Sequence, residues 1–173
     1  MSLASQQPNV SPCNRVSGRE PVAGTPLEWD NLDEDALEEL AAEVAGSLKP
    51  GDIVVLKGEV GAGKTTFVRA AARALGVREV VTSPTYQFAR GYKGSAGGSA
   101  VTVNHLDLYR LEGLDVRDAL DLDEYLRSGA VTFIEWADPA LGLFEEPSVV
   151  EIFHRSPTTR RVRLSGPVAA RLS

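Results

Sequence analysis

Ile53-Val54-Val55-Leu56-Lys57-Gly58-Glu59-Val60-Gly61-Ala62-Gly63-Lys64-Thr65-Thr66-Phe67 is the stretch on which the fold turns. Ile53 to Leu56 is a short continuous apolar run, the form taken by a strand buried on both faces of a parallel sheet. Gly58 to Thr65 then reads G-x-x-x-x-G-K-T. From about Lys64 to Leu75 the apolar residues Phe67, Val68, Ala71, Ala72 and Leu75 recur at helical spacing, up to a stop at Gly76. Strand, glycine-rich loop and helix in that order form a phosphate cradle. The glycines let successive N–H groups converge, the helix aims its positive end at them, and the Lys64 ammonium neutralises β/γ charge. Glu59, Val60, Gly61, Ala62, Gly63, Lys64, Thr65 and Thr66 are the candidate nucleotide-binding set, with the Thr65 hydroxyl placed for Mg²⁺.

Upstream, Leu37, Leu40, Ala41, Val44 and Leu48 form one apolar stripe of a helix that Asp33 or Asn31 can cap, with Glu34 and Asp35 in its first turn. Lys49-Pro50-Gly51 stops it. Residues 1–26, with four prolines and no apolar periodicity, read as a disordered tail, 27–166 as one domain and 167–173 as a C-terminal tail. Seven acidic residues and no basic one between Asp30 and Glu43 read first as a solvated face and second as a docking surface.

Downstream, Val80-Val81 and Tyr86 to Tyr92 read as extended pieces broken at Pro84, and Lys93 to Ser99 as a flexible connection. Val101 to Leu108 reads as a strand pairing in a hairpin with the Tyr86 segment, and Leu111 to Leu126 as one helix or two short ones. Val131 to Ile134 is a second buried run and hence a central strand. Val149 to Phe153 and Arg161 to Leu164 suggest a closing antiparallel hairpin. The expected fold is α/β and P-loop NTPase-like: a mostly parallel central sheet flanked by helices, with antiparallel hairpin additions.

A P-loop needs an acid across the sheet to hold Mg²⁺ or its water shell, and two candidates stand at C-terminal strand ends, Asp107 and Glu135. Either could instead cap a helix or pair with an arginine such as Arg110. No [NT]-K-x-D sequence is present, which favours ATP over GTP. His105 and Trp136 read as packing groups rather than a base or a nucleotide contact. Arg155, Arg160, Arg161 and Arg163 read as a solvated strand face ahead of a nucleic-acid site.

With 173 residues, 43% hydrophobic and 24% charged, the composition is that of one globular domain. A net charge of -6 argues against a stand-alone binder of nucleic-acid backbone. One cysteine, Cys13, excludes an internal disulfide, and with only two histidines no structural zinc site is expected. No apolar run has the length of a membrane span or a signal-peptide core, so the expectation is a cytoplasmic protein with no membrane contact.

These residues resemble the TsaE (YjeE) family over about 120 positions. The resemblance is carried, in order, by Gly51-Asp52, G-E-V-G-A-G-K-T-T-F at 58–67, T-S-P-T-Y at 82–86, H-L-D-L-Y-R-L at 105–111, D-L-D-E-Y-L at 121–126 and I-E-W at 134–136. It implies an ATPase of tRNA threonylcarbamoyladenosine biosynthesis, slow alone, acting with ATP and Mg²⁺ on a TsaD–TsaB transferase complex and touching tRNA indirectly. It also implies Lys64 and Thr65 at phosphate and metal, Asp107 near the attacking water, Glu135 at the metal, and Thr82, Ser83, Pro84, Thr85 and Tyr86 as a loop sensing the γ-phosphate. The competing functions are a small-molecule kinase and a nucleotide-gated binding module whose hydrolysis is incidental.

Overall fold

The computed structural model describes residues 24–84, 88–109 and 121–173. A seven-stranded mixed sheet runs in the order β1-β7-β6-β2-β5-β4-β3: β1 Leu27–Leu32, β2 Ile53–Lys57, β3 Ala89–Ala96, β4 Ser99–Asp107, β5 Ala130–Glu135, β6 Ser148–His154 and β7 Arg160–Ser165. The four central strands, β6, β2, β5 and β4, are mutually parallel. The outer pairings, β1 with β7, β7 with β6 and β4 with β3, are antiparallel. The parallel centre and its hairpin additions match the expected layout, although parallel pairings are half of the total rather than most of it.

The two apolar runs became the middle of the sheet because every residue in them finds a covered face. All six residues of β5 are buried, and Val54, Val55 and Leu56 of β2 are at most 1% exposed. Alternation at period two sends Val54, Leu56, Val131 and Phe133 into a large cluster, and sends Val55 and Ile134 into a smaller one on the opposite face. The large cluster is covered by helices α1, Glu34–Gly46, and α2, Lys64–Ala74. Leu37, Leu40, Ala41, Val44 and Leu48 are all buried there, as their spacing predicts. Asp33 caps α1 by accepting from the Ala36 N–H at 2.9 Å; Asn31 lies inside β1 instead. A one-turn helix, Leu122–Tyr125, lies against the smaller cluster, tied down by Thr132 Oγ1 and Asn104 Nδ2 donating to the Tyr125 carbonyl at 2.6 and 3.0 Å.

One element is added and three local expectations change. Residues 27–32, unassigned from the sequence, are a strand: an edge strand with polar Asp30 and Asn31 buries little on either face and leaves no periodic trace, and Asn31 adopts φ +61° beside a register shift. Val80 and Val81 are not in a strand, and β3 starts at Ala89 and continues through the segment read as a flexible connection. Gly94 is in that strand because nothing larger fits: a Cβ would lie 2.8 Å from Val103 Cγ2 and 2.9 Å from the Leu75 carbonyl oxygen. Residues 167–173, expected as a tail, contain the helix Pro167–Leu172, with Val168 and Ala169 buried in the large cluster. Arg171 on that helix clamps Asp52 with two bonds of 2.6 and 2.7 Å and donates to the Ser47 carbonyl at 2.8 Å. Of the helix expected over Leu111 to Leu126, residues 111–120 lie outside the described set.

The glycine at 94 gives a stability test. Gly94→Ala is expected to lower stability by about 2 kcal/mol, the cost of overpacking against backbone. Gly129→Ala, where a Cβ meets nothing within 4 Å and φ is not positive, is expected to be near neutral. Urea unfolding of the two variants checks this.

Candidate functional site

Parallel pairing of β2 with β5 sets Leu56 beside Glu135, and pairing of β5 with β4 sets Glu135 beside Asp107, so both acids stand at the edge from which the glycine-rich loop leaves the sheet. The loop leaves close to its neighbour strand. At Gly58, φ +154°, a Cβ would lie 2.6 Å from the Ile152 carbonyl oxygen, which explains a glycine there. The helix that follows begins at Gly63, φ +111°, with no side-chain cap. The first amides of α2 therefore lack both an intrahelical acceptor and a capping side chain, and they are the donors an anion would take up.

Lys64 folds back over this loop. Its ammonium donates to the carbonyls of Gly58 and Glu59 at 2.6 and 2.9 Å and lies 4.4 Å from the centre of the Trp136 ring. Burial pushes its pKa down, while the charges of Glu135 and Asp107 hold it up. Thr65 Oγ1 donates to Glu135 Oε1 at 3.0 Å, and His105 Nε2 meets the same oxygen at 2.9 Å. Glu135 is 3% exposed and His105 fully buried, and His105 Nδ1 has no partner among the described residues. Asp107 is partly buried; burial raises its pKa, the Tyr109 N–H that donates to it at 3.0 Å opposes the rise, and Glu135 adds to it.

The sequence candidates thus divide by position. Lys64, Thr65 and Glu135 meet directly, and Asp107 interacts electrostatically with both Lys64 and Glu135. Val60 is exposed at the loop tip, and Ala62 is buried in the core. Thr82 accepts from Arg90 Nη1 at 3.1 Å, next to a Val81 carbonyl that accepts from Arg69 Nε at 3.1 Å. Thr85 and Tyr86 lie outside the described residues. Thr65 and Glu135 supply hard oxygen donors of the type Mg²⁺ takes, an ion that fills the rest of its shell from phosphate oxygens and water.

Two groups prominent here were read as packing. Trp136 sits at φ +57°, a left-handed turn directly after β5 that swings its ring onto Lys64 and into an edge contact with Tyr109 at 5.1 Å. It lines a cleft of about 530 Å³ with Gly58, Glu59, Lys64, Asp138, Phe153 and His154. His105 is structural in the sense expected, yet its partner is the site carboxylate. A bulky non-glycine residue turning left-handed at a strand end has no local sequence signal.

Comparison with known proteins adds a family. Residues 32–162 match the model described as "Threonylcarbamoyl adenosine biosynthesis protein TsaE". The chain is 36% identical over 111 residues to the tRNA threonylcarbamoyladenosine biosynthesis protein TsaE of Bacillus subtilis, covering 64% of this chain and 66% of that protein. It is 45% identical over 103 residues to the Streptomyces coelicolor protein of the same name, covering 59% and 68%. These matches span about two thirds of the relatives' own length. The crystal structure of Bacillus subtilis YdiB superposes with a TM-score of 0.66 at 27% identity, covering 84% of this chain and 88% of that one. Sequence motifs, the family match over most of the described sheet and the structural likeness agree, and the chain belongs to the TsaE family, which takes part in tRNA threonylcarbamoyladenosine biosynthesis.

Proposed function

We propose that this protein is a P-loop ATPase that hydrolyses Mg-ATP to drive a TsaD–TsaB transferase complex in the threonylcarbamoyl modification of tRNA adenosine. The ATPase domain is residues 27–166 with the helix Pro167–Leu172 docked on it, acting in the cytoplasm and meeting tRNA through its partners. The observation that carries the reading is the contact of Thr65 with Glu135 beside Lys64, at the mouth of a glycine-rich loop whose helix has no side-chain cap.

In this reading the amides of Gly61 and of Gly63 to Thr66 and the ammonium of Lys64 bind the phosphates, and Thr65 and Glu135 hold the metal. Mg²⁺ held there by Thr65 and Glu135 would supply positive charge against the negative charge that develops on the phosphates. Lys64 exchanges its two carbonyl acceptors for phosphate oxygens, a stronger charge-assisted pairing. Asp107 orients the attacking water and accepts its proton. Its raised pKa brings it closer to that task than an ordinary aspartate, because a base works best when its pKa approaches the working pH. His105 fixes the Glu135 carboxylate from behind. The Thr82 to Tyr86 segment reports the γ-phosphate to the partner complex.

Lys64→Ala is expected to weaken ATP binding roughly 10- to 100-fold, the loss of one charge-assisted contact. Calorimetry on the folded variant measures it, and near-normal affinity would refute the cradle.

Asp107→Asn is expected to keep ATP binding and lose turnover, and also to raise the melting temperature by on the order of 2 °C near neutral pH. The sign follows from the raised folded pKa. Below an aspartate's ordinary pKa of 3.8 the acid is protonated in both folded and unfolded chains and costs nothing. As pH climbs past 3.8 towards the folded pKa, the unfolded chain ionises first and the wild type loses stability. The gain of the amide variant should therefore be absent well below 3.8, grow through that window and be complete above it; a gain equally large at pH 3 would refute the assignment.

The function itself is tested by multiple-turnover threonylcarbamoyl transfer to tRNA by TsaD–TsaB, with and without this protein and ATP. Sustained turnover that needs both is the expected result. A kinase would instead run fast alone once given its acceptor, and a nucleotide-gated module would support turnover with a hydrolysis-dead variant.

A further inference from the structure

Arg155, Arg160, Arg161 and Arg163 sit together at the β6–β7 hairpin, yet they do different things. Arg155 pairs with Asp30 at 3.2 Å, and Arg161 and Arg163 pair with Glu28 at 2.7 and 3.7 Å, all exposed ion pairs that tie β1 to its neighbours. Arg160 makes no ion pair among the described residues. Its guanidinium reaches the glycine-rich loop, Nε donating to the Ala62 carbonyl at 2.9 Å and Nη2 to the Gly61 carbonyl at 3.2 Å. Its third nitrogen, Nη1, donates to the carbonyls of Ser156 and Thr159 at 3.3 and 3.0 Å. The Ser156 side chain stiffens that turn by accepting from the Thr159 amide at 3.0 Å.

We infer that Arg160 is a positioning residue for the phosphate-binding loop, an inference that rests on the reading of that loop as a nucleotide cradle. In a trans peptide the C=O and N–H point in opposite directions. Holding the Ala62 carbonyl against Arg160 aims the Gly63 amide away from β7, towards the side on which α2 begins. Holding the Gly61 carbonyl fixes the Ala62 amide, which closes the loop on the Glu59 carbonyl at 3.0 Å. A glycine-rich loop has many conformations to lose when it binds an anion, and a planar cation forked across two of its carbonyls removes much of that freedom beforehand. The turn Ser156–Thr159 serves as the fixed anchor for the fork.

The consequence is a defect in binding rather than chemistry. The cradle amides serve phosphates that ADP and ATP share, so both nucleotides should suffer equally. Arg160→Met, which keeps the bulk of the side chain, is expected to bind Mg-ADP and Mg-ATP each about tenfold more weakly, as expected from losing hydrogen bonds that order the site. Its kcat at saturating ATP should stay within about twofold of the wild type. Arg160→Lys, which can reach one carbonyl but cannot fork, should fall between the two. Arg160→Ala should regain affinity when guanidinium is added at millimolar concentration, which a general loss of stability would not do.

Calorimetry with both nucleotides, alongside a melting curve for each variant, reads all of this. Unchanged affinity in any folded Arg160 variant overturns the inference while leaving the cradle intact. A loss confined to ATP also overturns it, since that makes Arg160 a γ-phosphate contact. Failure of the wild-type protein to bind either nucleotide removes the cradle and the inference together, and the Lys64→Ala comparison distinguishes that case.

Discussion

A carboxylate that is almost wholly buried must be surrounded by donors, and Glu135 obtains two of them from two different elements: the Thr65 hydroxyl at the start of α2 and the ring of His105 on β4. That requirement fixes a great deal. The first turn of α2 has to lie over the end of β5, so the loop preceding it must leave β2 at the same edge. His105 has to occupy the neighbouring strand in register with Phe133, which sets β4 parallel to β5 and brings Asp107 alongside the acid. β2, β5, β4 and α2 are thus tied to one another around a single buried oxygen, and the apolar clusters on either side keep water from competing for it.

The charges around that oxygen balance closely. Lys64 is buried to 6% exposure and lies in the field of two acids, while its ammonium is held by two carbonyls and an aromatic face rather than by the acids themselves. Trp136 makes this arrangement tenable by providing an electron-rich surface where a carboxylate would have trapped the ammonium. An ammonium held by carbonyls and a ring is ready to leave for a more negative oxygen. The ionisation of the Asp107 carboxylate is disfavoured by burial and by Glu135, so the two neighbouring acids are not equivalent to surface carboxylates.

Much of this was legible in the sequence where one residue pattern has one physical solution. An uninterrupted apolar run followed by G-x-x-x-x-G-K-T has few alternatives, so β2, the loop and α2 could be read directly, and the acids followed because ligands gather at the C-terminal ends of parallel strands. The hairpin of β6 and β7 was legible from alternation. What could not be read depended on partners distant in the chain. Gly94 looked like a flexible glycine because the Leu75 carbonyl that excludes a side chain belongs to another element. Arg160 looked like one more surface arginine because the carbonyls it binds lie 98 and 99 positions away. The edge strand β1 and the short C-terminal helix bury too few side chains to leave a periodic trace.

The strand order carries a consequence for how the chain matures on the ribosome. β2 is flanked by β5 and β6, so the strand that launches the loop remains without either neighbour until some 75 further residues have been made. β1 waits longer still, since β7, its strand partner among the described residues, comes more than a hundred residues later. Contacts of such separation form late and slowly. A nascent chain truncated before β5 would hold β2 with neither strand neighbour, its backbone edges unpaired, a state prone to association. The same delay means that no half-made protein can hold a completed loop: the guanidinium that steadies it is synthesised almost a hundred residues after the glycines.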